Sequence, residues 1–138
     1  MHQVKGNKNM YKELAISAII IISIFVLDFI TQNYADKTIN DAIQDLTTIK
    51  QALKQEKVEN EKVLKQASEN YDKWLEYHKT LAFYIEHNEL EKVETNYVAG
   101  KSFIENAKYE DALSEVEKTI FILQHINDKY SINLENIF

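Results

Sequence analysis

His78, His87 and His125 carry the imidazoles that acid–base chemistry or metal ligation would use. None has a glutamate three residues before it, so the Glu-x-x-His ligands of a di-iron bundle are missing, and no H-E-x-x-H occurs. Cysteine is absent, which removes thiolate metal sites, thiol nucleophiles and disulfides. There is no glycine-rich phosphate loop and no serine elbow. The abundant carboxylates fall on polar helix faces, where charge confers solubility. The expectation is a protein that is not an enzyme, has no catalytic residue and takes neither cofactor nor metal. One juxtaposition remains. If the helices flanking Asn106-Ala107 form an antiparallel hairpin, residue 87 lies level with about residue 126. His87 and His125 then share one end of a bundle, with Glu86, Glu89 and Asp128 nearby. That end reads either as helix termini tied by hydrogen bonds or as a patch that meets a partner, a metal or protons. Glu86, Ile137 and Phe138 join the two histidines as the candidate interaction patch.

Membrane chemistry is written more plainly. Residues 14–30 read LAISAIIIISIFVLDFI, with one charge at Asp28. Twelve of these seventeen residues are Ile, Leu, Val or Phe. Their insertion into a bilayer is favourable by roughly 4 to 7 kcal/mol, against ~2.5 to 3.5 kcal/mol for an Asp at mid-membrane and less near an end. Insertion wins, and the predicted span is residues 13–33. A cleaved signal peptide fits less well, because the run continues into Asp28 and Phe29 without an A-x-A-like site. A buried core helix is disfavoured by apolarity on all faces. Lys5, Lys8 and Lys12 precede the span, and only Lys37 and Lys50 follow closely. The positive-inside rule therefore places residues 1–12 in the cytoplasm and residues 34–138 outside the cell membrane. Asp28, an ionisable residue near the outer boundary, either snorkels towards water or has a function.

The outer region must be helical. The 138-residue chain has no Pro and only 2 Gly, so little in it breaks a helix. All 16 basic residues are Lys and the net charge is -6, which argues against nucleic acid as a partner. Ala35, Ile39, Ala42, Leu46, Ile49 and Leu53 form a heptad seam, read as one helix of a bundle. The polar stretch 54–60 is the expected turn. A second stripe runs through Val63, Ala67, Tyr71, Trp74, His78, Leu81 and Ile85, with Trp74 as core anchor. Asn88 is expected to cap a third helix that turns Leu90, Val93, Tyr97 and Ile104 inward. Gly100 within it either admits a close neighbour or weakens it. A fourth helix over about 108–129 buries Ala112, Val116, Ile120, Leu123 and Ile126. The predicted fold is all-α: an N-terminal transmembrane helix, then an antiparallel bundle of two αα-hairpins and about four helices.

Trp74, the run Ile85-Glu86-His87-Asn88-Glu89-Leu90, the run Ile122-Leu123-Gln124-His125-Ile126 and the ending Asn133-Leu134-Glu135-Asn136-Ile137-Phe138 resemble the bacterial domain-of-unknown-function family 4363. Its members usually carry a small residue such as Ser where this chain has Asn88. The resemblance implies a small single-pass membrane protein of Gram-positive bacteria with a helical outer domain and an accessory role beside a larger membrane protein. It names no reaction. The function expected is a protein-interaction or accessory-subunit module, bound to the lipid bilayer through its first helix and to a membrane protein of unknown identity. The alternative is an extracytoplasmic small-molecule sensor, which would enclose a pocket of several hundred cubic ångströms near Trp74, His78 and Tyr97.

Overall fold

A computed structural model of the chain describes the backbone of residues 3–130 and the side chains of residues 10–130. Ile137 and Phe138 of the predicted patch lie outside the described residues. Four helices follow one another: α1 (Gln3–Leu53), α2 (Asn60–Leu81), α3 (His87–Glu105) and α4 (Tyr109–Tyr130). No strand occurs among the described residues. The chain divides into two compact units, Met1–Tyr34 and Ala35–Phe138.

In the first unit, every large apolar side chain from Met10 to Ile30 is 50% to 70% exposed. A core helix buries a stripe; this one buries nothing, and the core-helix reading fails. The stretch is long and apolar enough to cross a membrane. Three of its polar side chains bond within the helix. Ser23 Oγ donates to the Ile19 carbonyl at 2.8 Å, and Gln32 Nε2 donates to Asp28 Oδ2 at 3.0 Å.

In the second unit all six seam residues, Ala35, Ile39, Ala42, Leu46, Ile49 and Leu53, are buried. Cross-helix pairs fix an antiparallel register. Asp41 and Asp45 of α1 meet Tyr77 and Lys73 of α2. Glu94 of α3 meets Tyr71 and His78 of α2. Lys129 of α4 meets Glu86 and Glu89, and Lys50 of α1 meets Glu117 of α4. The interior is one apolar cluster that includes Trp74, 1% exposed, with Leu90, Val93, Leu123 and Ile126.

Gly100 faces α4, where an added Cβ would lie 3.5 Å from Glu115 Cβ, so the close-neighbour reading holds. The α3–α4 turn is a Schellman closure. Lys108 N–H donates to Phe103 O and Ala107 N–H to Ile104 O, with Ala107 at φ 54.

Four local expectations change. Asn88 does not cap α3: the N-cap is Glu86, whose carbonyl receives the Glu89 and Leu90 N–H groups, so Asn88 lies inside the helix. Ile85 is buried in the α2–α3 turn rather than on α2. On α2, Asn70 is buried while Tyr71 is half-buried. On α4, Thr119 replaces the half-buried Ile120 in the core, its hydroxyl satisfied by the Glu115 carbonyl at 2.7 Å.

Candidate functional site

The end of the bundle where α2 passes into α3 is held by α4. Lys129 Nζ lies 3.0 Å from Glu86 Oε1 and 2.9 Å from Glu89 Oε1, and the Glu86 N–H donates to Tyr130 Oη at 3.1 Å. Hydrogen bonds from Lys129 to Glu89 and then Glu86 hold its ammonium well above the usual lysine range. Asn127 Nδ2 reaches Asp36 Oδ1 at 3.1 Å, so α1 joins the same end.

Of the predicted patch, Glu86 is thus tied to α4, through Lys129 and Tyr130. His87 faces α2 instead. Its Nε2 is 3.0 Å from Glu91 Oε1 and its ring centroid 6.0 Å from that of His78. His125 is exposed on α4, and no hydrogen bond, ion pair or ring contact joins it to His87 among the described residues. Asp28 pairs with Gln32 one turn away. Neither Lys129 nor Tyr130 belongs to the predicted patch, although the hairpin register and the preference for cations in a helix's last turn both point to Lys129.

His78, 16% exposed, sets Nδ1 3.1 Å from Glu94 Oε2, which is the hydrogen-bonded, half-buried state expected of a histidine on a core stripe. The ring of Trp74 stacks on Tyr97, centroids 5.9 Å apart and planes at 23°. Burial pushes the Tyr97 hydroxyl far above its ordinary range, with Asp45 adding to the effect. The space beside Tyr97 and Gly100 amounts to about 10 Å³, so no ligand-sized cavity opens there. No three His, Asp or Glu side chains are placed to hold a metal ion among the described residues. Space opens instead at the surface, in a cleft of about 280 Å³ between α1 and α2 and a groove of about 430 Å³ beside His78 and His87.

These features define a class: an all-α protein in which a filled antiparallel bundle follows a long apolar N-terminal helical stretch. The chain matches the family described as Domain of unknown function (DUF4363) over residues 29–137, and it belongs to that family. The matched residues take in the whole described bundle and the end of the apolar run. No curated protein and no solved structure matches the chain.

Proposed function

We propose that the chain is a non-enzymatic, single-pass membrane protein of the Gram-positive cell membrane. Residues 13–33 cross the bilayer, residues 1–12 stay in the cytoplasm, and residues 34–138 form an extracytoplasmic module that docks on a larger membrane protein. The observation that carries this reading is the exposure, by half or more, of every large apolar side chain from Met10 to Ile30 in a chain whose bundle buries its own core. A helix with such a surface needs a hydrocarbon solvent. Tyr11 and Tyr34 support it: 23 residues apart, they stand about 34 Å from one another along a helix, bracketing a hydrocarbon core of about 30 Å where interfacial aromatics belong. The bundle's exposed Phe83 (88%), Phe121 (70%) and Val98 (50%) offer apolar contact points to a protein partner. The test is a pull-down from crosslinked native membranes. One membrane protein recovered in near-equal amount, and lost when Phe121 is changed to Asp, supports the reading. Recovery of no specific protein under conditions that crosslink other complexes rejects it.

A further inference from the structure

The cleft between α1 and α2 collects polar groups that the fold leaves over. Asn70 lies on the buried stripe of α2 between Ala67 and Trp74, is 5% exposed, and has a hydrogen-bond partner at neither Oδ1 nor Nδ2 among the described residues. Gln66, one turn earlier, has a buried Oε1 that is likewise unpaired. Both line the cleft of about 280 Å³, together with Thr48, Asp45, Glu69 and Lys73. Natural cores rarely leave a buried amide unpaired, because its desolvation goes uncompensated. A leucine would continue the stripe at position 70 without that cost.

The chemistry of the groups present narrows what would satisfy them. Asn70 offers one donor and one acceptor whichever way its amide is turned. Gln66 Oε1 adds a second acceptor. Lys73 Nζ and Asp45 Oδ2 form a 2.8 Å pair that brings one charge of each sign to the wall, with the Lys73 ammonium stabilised first by its hydrogen bond to Asp45. Glu69 adds a carboxylate with an exposed 3.8 Å pair to Lys65. An ammonium group needs several acceptors, and Gln66 Oε1, Asn70 Oδ1 and the Glu69 carboxylate supply three. A carboxylate needs donors, and Asn70 Nδ2 and Lys73 Nζ supply them. A cleft just under the ~300 to 1,000 Å³ of drug-sized sites suits a ligand of about ten heavy atoms.

We propose that this cleft binds a small zwitterion, a free α-amino acid, through Asn70 and Gln66 with Lys73 and Glu69 at the charged ends. The proposal stands apart from the docking role, since it concerns the α1–α2 face of the bundle and holds whether or not a protein partner is found. It is tested on the full chain in detergent micelles by thermal unfolding and titration calorimetry. The probes are the common L-α-amino acids, each compared with its decarboxylated amine and its deaminated acid. At least one amino acid is expected to raise Tm by several degrees and to bind at least ~10-fold more tightly than either analogue. Asn70→Leu should weaken that binding at least ~10-fold while the unliganded Tm holds or rises. If Asn70→Leu does not fold, Lys73→Met, at the exposed rim, should show the same loss. Three results would overturn the proposal: no amino acid binds, which marks the cleft as a site for ordered water; the amine or acid analogue binds as well as the amino acid; or affinity survives both substitutions.

Discussion

Helix α1 contains two regions with the same backbone and opposite surfaces. Over residues 14–30 apolar side chains face every direction and all the large ones are exposed. From Ala35 to Leu53, six seam residues recur every three or four positions and all six are buried. The difference teaches that helicity carries little information here; the arrangement of apolar residues around the helix identifies its solvent. An all-round apolar surface suits lipid, and a single stripe suits a protein core flanked by water. The two regions should therefore respond to substitution by different rules.

The largest effect should come from the first region. Replacing Ile20 and Ile24 together by Lys puts two charges at mid-run, at a combined insertion cost of about 6 to 8 kcal/mol. The wild-type chain should stay in the membrane pellet after carbonate extraction, and the double variant should move to the supernatant with its bundle still folded. Retention in the pellet would show that the run does not anchor the chain. In the second region a single large-to-small change should suffice. Trp74→Ala empties the centre of the core and should cost ~3 to 5 kcal/mol in denaturant unfolding. A loss below about 1 kcal/mol would mean that the indole is not the anchor its burial indicates.

How much of this could be read beforehand differs along the chain. The α1 seam was legible because its heptad positions are all apolar and most of their neighbours are polar, so period and polarity agree. On α2 and α4 they disagree at single positions. The spacing through Val63, Ala67 and Trp74 points to position 70, but Asn70 is polar and Tyr71 beside it is aromatic, which drew the stripe one residue off phase. Thr119 and Ile120 repeat the error on α4. In both places geometry decided over side-chain hydrophobicity, and a threonine can follow because its hydroxyl bonds back to the preceding turn. The two histidines of the predicted patch do not meet among the described residues. With Glu86 rather than Asn88 as N-cap, His87 is the first residue of α3 and its ring lies beside His78 of α2.

Smaller effects sharpen the contrast within the bundle. Ala107 adopts φ 54 in the Schellman turn, where a Cβ is unfavourable. Ala107→Gly should stabilise the bundle by about 1 kcal/mol, read as a higher denaturant midpoint with an unchanged slope; a lower midpoint would contradict the turn geometry. The smallest effect concerns pH. Burial raises the Tyr97 and Tyr71 hydroxyls, and hydrogen bonds from Lys129 to Glu89 and Glu86, and from Lys73 to Asp45, raise those two ammonium groups. Each group holds its proton more tightly folded than unfolded, so the stability it contributes is complete below about pH 10 and lost as pH rises through the tyrosine and lysine ranges. The denaturant midpoint should hold up to about pH 10 and fall as pH rises above it. A flat or rising midpoint would show that these hydroxyls are not kept neutral by burial.

The claim on which the rest depends is that residues 13–33 cross the membrane with the bundle outside the cell. Because the chain has no Cys, one introduced thiol is a unique reporter. Gln124→Cys on the exposed face of α4 and Gln3→Cys before the apolar run should be treated separately with a membrane-impermeant maleimide on intact, wall-stripped cells. The expected result is labelling of Gln124→Cys in intact cells and of Gln3→Cys only after the membrane is permeabilised. Labelling of Gln3→Cys in intact cells with Gln124→Cys protected, or protection of both until lysis, would contradict it.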